Sequence, residues 1–171
     1  VPVNIGMSQF FKIHPESPQG RLIDQAAAIV RQGGVIIYPT DSCYAFGCHI
    51  GEKAAMERIR RVRQLDDHHN FTLVCRDLSE IGTYAQIDNT AYRLLKSFTP
   101  GPYTFILKAT REVPRRLQNP RRRTIGLRVP QHRIAQALLA RLDKPLMSST
   151  LVLPGEEMPM TDPAQMLERL S

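Results

Sequence analysis

Tryptophan is absent, cysteine occurs three times, and no uninterrupted apolar run approaches the roughly 18 residues that a membrane-spanning helix needs. The odd, small set Cys43, Cys48 and Cys75 excludes a disulfide scaffold and a disulfide-linked partner, and it suits a reducing compartment. No third and fourth ligand cluster beside Cys43 and Cys48, so no structural zinc site, and no protein metal site of any kind, is expected. The first thirty residues carry no charged, apolar and cleavable pattern of a secretory leader, which leaves the cytoplasm as the expected compartment. No Gly-rich phosphate loop is present, and Gly33-Gly34 alone is no dinucleotide fingerprint. Repeats and low-complexity segments are also lacking.

What is there is one domain's worth of globular sequence. The chain has 171 residues, 42% hydrophobic and 23% charged, enough for a core without staples. Val1–Gly6 precede Met7 and read as a cloning remnant or an upstream start, so residues 7–171 form the expected single domain. The chain stops at Ser171 straight after a helix-like stretch, so its C-terminal end reads as short.

Basic residues outnumber acidic ones, 23 to 16, and the excess is concentrated. Arg58–Arg133 carries 16 basic and 6 acidic residues, whereas both flanks are slightly acidic. Lys108–Arg133 is densest, with nine basic residues against Glu112 alone. A field of this kind concentrates polyanions, and nucleic acid is the leading candidate because each neutralised phosphate releases condensed counterions. The expected contact residues are Arg58, Arg61, Lys108, Arg111, Arg115, Arg116, Arg121, Arg122 and Arg123; a merely solvated basic surface is the alternative.

Periodicity predicts interleaved strands and helices. Phe10–Ile13 reads as a strand. Leu22, Ile23, Ala26, Ile29 and Val30 mark a helix that ends at Gly33-Gly34. Val35–Tyr38 is a β-branched run typical of a central strand, stopped by Pro39. The polar loop Thr40-Asp41-Ser42 follows, then a return through Tyr44–Cys48. Glu52–Arg63 is a helix with Ala55, Met56, Ile59 and Val62 inward and arginines on its outer face. A polar loop over 66–70 leads to a strand at Phe71–Cys75. Asp77 and Asp88 are helix caps, the second helix placing Ala91, Leu94 and Leu95 on one face. Tyr103–Leu107, Thr124–Val129 and Leu146–Ser149 are strands. Glu112–Arg123 is a proline-broken loop with one short helical turn. Gln131–Leu142 is a helix, and Asp162-Pro163 opens the last one, with Ala164, Leu167 and Leu170 on its apolar side. The expected class is α/β (α+β), a single twisted open mixed sheet with flanking helices.

Chemistry-bearing residues gather at three strand ends: Thr40–Ser42, Arg128 and Ser148–Thr150. Together with Arg63 they offer hydroxyl donors and bidentate guanidinium grips for a small polar ligand or a phosphate. Turn chemistry and capping are the other use of such hydroxyls. His68 and His69 are adjacent in a polar loop, a geometry that does not converge on one metal. Tyr38, Tyr44, Phe46, Tyr103 and Phe105 sit at strand spacing and suit the core, with stacking on a base as the alternative.

These stretches resemble a known family. Val35-Ile36-Ile37-Tyr38-Pro39-Thr40-Asp41-Ser42-Cys43-Tyr44-Ala45-Phe46-Gly47-Cys48 is similar to the signature of the YrdC/YciO family of threonylcarbamoyl-AMP-synthase-like proteins. Pro100–Leu107, Arg128-Val129-Pro130 and Lys144–Thr150 resemble its further motifs, and Arg63-Gln64-Leu65 with His69–Leu73 resembles the YciO branch. The resemblance implies a YrdC-like fold with a basic concave face and binding of double-stranded RNA or tRNA. It also implies, as the alternative activity, synthesis of threonylcarbamoyl-AMP from ATP, L-threonine and bicarbonate, which serves modification of tRNA adenosine 37. Thr40, Ser149 and Arg128 would then hold the threonine or carbamoyl end, and Arg63, Ser148 and Thr150 the nucleotide phosphates. Magnesium would arrive with ATP, and no cofactor would be tightly bound. The synthase branch has Lys-x-Arg where this chain has Arg63-Gln64-Leu65, and Ser-x-Asn where it has Thr150-Leu151-Val152. Leu65 cannot grip a phosphate, and Val152 lacks an amide, so weakened synthesis is implied. Family members also continue beyond the position of Ser171.

Overall fold

The computed structural model describes residues 8–65, 71–152, 154–158 and 160–170. The expected loop over 66–70 with His68 and His69, and the leader 1–6, lie outside the described residues, as does the side chain of Leu167.

Six strands form one mixed sheet: β1 (Ile36–Pro39), β2 (Tyr44–His49), β3 (Thr72–Val74), β4 (Phe105–Lys108), β5 (Thr124–Arg128) and β6 (Leu146–Thr150). Their order is β1-β2-β6-β3-β5-β4, with β3 and β5 parallel and the other neighbours antiparallel. Side chains alternate between the faces, and each face buries its own cluster. Helices α1 (Gly20–Arg31) and α5 (Arg133–Leu142) cover one face through Ile23, Val30, Leu138 and Leu139 against Tyr38, Ala45, Val74 and Leu146. On the other face, α2 (Lys53–Arg63), α3 (Leu78–Tyr84), α4 (Asn89–Phe98) and α6 (Pro163–Leu170) meet Phe46, Leu73, Leu127 and Met147.

Local chemistry sets the boundaries. Gly33, at φ 87°, ends α1: its N–H reaches Val30 O and that of Gly34 reaches Ile29 O, the paired bonds of a left-handed helix stop. Asp77 and Asp88 accept from the N–H groups of Glu80 and Ala91 at 2.8 and 2.7 Å, and Asp162 accepts from Ala164 at 3.0 Å, all as the sequence predicts. The loop after β4 contains one turn of 3₁₀ helix, Arg115–Leu117.

Four expectations are corrected. Phe10–Ile13 forms no strand; Phe11 and Ile13 pack on the α1–α5 cluster while Phe10 is exposed, because a four-residue apolar run reports burial and not pairing. The Val35–Tyr38 run is an edge strand and not a central one. Its burial comes from helices on its face, and an edge tolerates Pro39, which pairs with Tyr44 inside the strand although it lacks an N–H. In α2, Val62 points outward and Arg60 inward, where its guanidinium lies 5.0 Å from the centre of the Phe71 ring. In α4, Leu95 is buried but Leu94 is exposed.

Candidate functional site

The three polar strand ends do not share one edge of the sheet. β1 and β6 run one way and β5 runs the other, so Arg128 leaves the sheet opposite to Thr40–Ser42 and Thr150. β1 and β5 are also four strand spacings apart, about 19 Å in a flat sheet. Yet Arg128 Nη2 contacts Asp41 Oδ1, and the other Asp41 oxygen accepts from Gln131 N–H at 2.9 Å. The loop after β1 therefore reaches back over the α1–α5 face of the twisted sheet.

A second contact also crosses this face. Tyr38 on β1 passes over β2 and places its hydroxyl 2.8 Å from Ser148 Oγ on β6. Only glycine fits beneath, since a Cβ on Gly47 would come within 2.8 Å of Tyr38 Cε1. Ser148 donates to Phe46 O at 2.8 Å, so the shared proton between the hydroxyls comes from Tyr38. Burial raises the Tyr38 phenol above its usual range, which keeps it a donor.

Register carries this face onward. Gly47, Ser148, Thr72, Gly126 and Ile106 pair in one row across five strands. Small side chains make the row a trough. Arg128 borders it along one side, and Thr150, Thr124 and Lys108 along the other. Thr104 also lines it, with its methyl 3.2 Å from where a Gly126 Cβ would stand. The far end is open, and Ile106 is 73% exposed there. Arg128 Nε is buried without a hydrogen-bond partner, a donor held beside the trough.

The predicted residues thus separate. Arg128, Ser148 and Thr150 flank or floor the trough. Thr40 braces the loop above it, donating to Cys43 O at 2.6 Å and accepting from the N–H groups of Ser42 and Cys43 at 3.2 Å each. Ser148, expected to face phosphate, is instead fully engaged in the buried Tyr38–Phe46 chain. Ser149 points to the opposite face, where its Oγ accepts from Arg63 Nη1. Arg63 Nε donates to Val152 O at 3.1 Å, and burial lowers the pKa of its guanidinium. Leu65, which stands in place of a cation, packs against the larger core cluster. Sequence reasoning missed Thr72, Thr104 and Gly126; their only signal was strand alternation, which assigns a face but not a register. Asp41 stood in the polar loop, with nothing to indicate its partner.

The basic residues are distributed over several elements. Arg58 and Arg61 project from α2, and Lys108 ends β4. Arg111, Arg115, Arg116, Arg121, Arg122 and Arg123 lie in the β4–β5 connection. Arg116 Nη2 lies 3.4 Å from Ile50 O, next to the start of α2. All nine are exposed, and among the described residues none has an ion-pair partner, whereas Arg76, Arg133, Arg141 and Arg169 each have an acidic one. Among the described residues no three His, Cys, Asp or Glu side chains form a group able to hold a metal ion, and no helix is long and apolar enough to cross a membrane.

Comparison with known proteins identifies the family. The Sua5–YciO–YrdC family model, whose description is "Telomere recombination", matches residues 28–171, and the chain belongs to this family. YciO of Escherichia coli strain K12 is 63% identical over 164 residues, covering 96% of this chain and 80% of that one. The crystal structure of E. coli YciO superposes with a TM-score of 0.92, over 96% of this chain and 80% of that one, which places the protein in the YciO branch. A threonylcarbamoyl-AMP synthase of Chromobacterium violaceum is 35% identical over 144 residues, 84% of this chain and 74% of the synthase. The crystal structure of P. abyssi Sua5 complexed with L-threonine has 25% identity and a TM-score of 0.76, covering 83% of this chain and 42% of that one.

Proposed function

We propose that the protein is a cytoplasmic enzyme of the threonylcarbamoyl-AMP synthase type, joining ATP, L-threonine and bicarbonate and releasing pyrophosphate. The observation that carries this reading is Arg63. A guanidinium has five N–H donors; two are bonded, to Val152 O and Ser149 Oγ, which fixes its direction and leaves three for phosphate oxygens. It stands at the C-terminus of α2 beside β6, on the sheet face that Ser149 points to and opposite the trough. The relatedness to threonylcarbamoyl-AMP synthases supports the same chemistry. The replacement of a second cation by Leu65, and of an amide by Val152, predicts slow turnover, since each absent donor costs on the order of 10²–10³ in rate when it acts in the transition state.

The test is threonine-dependent pyrophosphate release with ATP, magnesium and bicarbonate. Release by the wild-type chain, lost at least about 100-fold in Arg63→Ala and raised in Val152→Asn, supports the reading. A folded wild-type chain that releases no pyrophosphate overturns it.

A second reading rests on a separate observation, the nine exposed cations that have no ion-pair partner among the described residues. Duplex RNA or tRNA is the partner they fit, through counterion release at the phosphates. An enzyme that serves tRNA modification could use both surfaces. Binding that weakens steeply with salt is the expected result, and a flat response removes this reading.

A further inference from the structure

The β4–β5 connection does more than carry charge. Asn119 organises its last turn: its Oδ1 accepts from the N–H groups of Arg121 and Arg122 at 3.1 and 2.9 Å. Its own N–H donates to Thr124 O, and its O accepts from Arg123 N–H, both at 2.8 Å. Arg123 O in turn accepts from Ala109 N–H at 3.0 Å, which ties the turn to the end of β4. Val113 and Leu117 anchor the preceding stretch, 2% and 3% exposed. Three consecutive arginines are thus presented from a fixed backbone, all exposed and all without an acidic partner among the described residues.

Scaffolding alone does not account for this. Arg123 adopts φ 55°, a left-handed conformation that costs a non-glycine residue roughly 1–2 kcal/mol. Glycine or asparagine would close the same turn with less strain, so the turn geometry by itself does not call for an arginine here. Three adjacent like charges also repel one another until an anion arrives. Arginine rather than lysine, at each of the three positions, favours oxygen pairs of phosphate geometry. Pro120 is the one apolar side chain of the turn Asn119–Arg123, too little for the apolar core of a protein interface.

We infer that the Asn119–Arg123 turn is a preorganised clamp for the phosphate backbone of duplex RNA. This rests on the RNA reading above and assigns it to one element. Arg121, Arg122 and Arg123 each neutralise a phosphate, and Asn119 is a positioning residue that reduces the ordering cost.

The experiment measures binding of the full chain to a short duplex RNA from 50 to 200 mM salt. It compares wild type with Arg121→Gln/Arg122→Gln/Arg123→Gln and with the charge-matched control Arg133→Gln/Arg141→Gln/Arg169→Gln. With a slope of about 0.9 per phosphate, loss of three contacts removes about a 40-fold share of the salt-induced weakening over this range. The turn variant is expected to show that loss and the control to keep the wild-type slope. Asn119→Ala keeps every charge, so its slope should stay while affinity falls several-fold at all salt concentrations. If wild type shows no salt-dependent binding, the RNA reading itself falls. If wild type binds but the turn variant keeps its slope, or the control loses as much, the clamp is refuted and the RNA reading stands. An unchanged affinity in Asn119→Ala refutes the preorganisation.

Discussion

Replacing Asp41 by alanine tests the geometry most directly. The Asp41 and Arg128 side chains are only 13% and 12% exposed, so their pair lies in the regime of buried ions and not of surface bridges. Removal of the carboxylate leaves Arg128 Nη2 unpaired beside Nε, which already has no partner, and deprives Gln131 N–H of its acceptor. Breaking a buried pair from one side costs about 3–5 kcal/mol, because a charge stays behind without compensation. For a chain of this size that corresponds to a fall in Tm of roughly 6–20 °C. With an m-value near 2 kcal/mol/M, the urea midpoint falls by roughly 1.5–2.5 M. Equilibrium urea unfolding, followed by circular dichroism, provides the measurement. Asp41→Leu combined with Arg128→Met removes both charges and should recover most of the loss. A cost below about 1 kcal/mol for Asp41→Ala, with unchanged m, would show that water screens the pair. The pair would then not be what holds the Asp41 loop over the trough.

Three further outcomes follow from the same contacts. Ser148→Ala should destabilise more than Tyr38→Phe: the first strands a buried Tyr38 hydroxyl at about 1–3 kcal/mol, whereas the second leaves Ser148 bonded to Phe46 O and costs about 1 kcal/mol, as read by urea midpoints. Burial pushes the Cys48 thiol up to about 12 and raises Cys75 as well, so a thiol reagent at pH 8 should label at most Cys43 in the native chain and all three in denaturant; rapid native labelling of two or more would contradict the packing. His132 caps α5 by accepting from Ile134 N–H at 3.2 Å through Nδ1, which requires the neutral ring, and burial depresses its pKa. Its folded value lies below the ordinary value of about 6.5, so the stability it contributes is complete above that pH and is lost as pH falls through the depressed value; His132→Asn, which caps without titrating, should flatten that part of the pH–stability profile.

Much of the fold is legible in local chemistry. The glycine stop after α1, the aspartate caps of α3 and α4, and the Asp162-Pro163 start of α6 require only the few residues around them. The 3.6-residue rows that bury Ile23, Val30, Leu138 and Leu139 are equally local. The failures also have local causes. Val62 and Arg60 exchanged places because a helical stripe is wide enough to include either, and the ring of Phe71 decided between them. The apolar run at β1 suggested a central strand, but burial by α1 and α5 and burial by neighbouring strands leave the same pattern in a sequence.

The sequence by itself determined the class of fold, most element boundaries, the family through its ordered motifs, and the concentration of positive charge between Arg58 and Arg133. These are properties of neighbours along the chain, where helix and strand periods, caps and turns act over a few residues. Tertiary structure alone decided which hydroxyls remain available. Strand direction placed Arg128 at the opposite sheet edge from Thr40, and the loop after β1 brought Asp41 back to it across the sheet. Side-chain alternation sent Ser148 and Ser149 to different faces, one into a buried chain with Tyr38 and the other to Arg63. Register joined Gly47, Ser148, Thr72 and Gly126 into a trough from four separate segments. Pairing and these cross-sheet contacts join residues up to about 110 positions apart, and no local pattern encodes them.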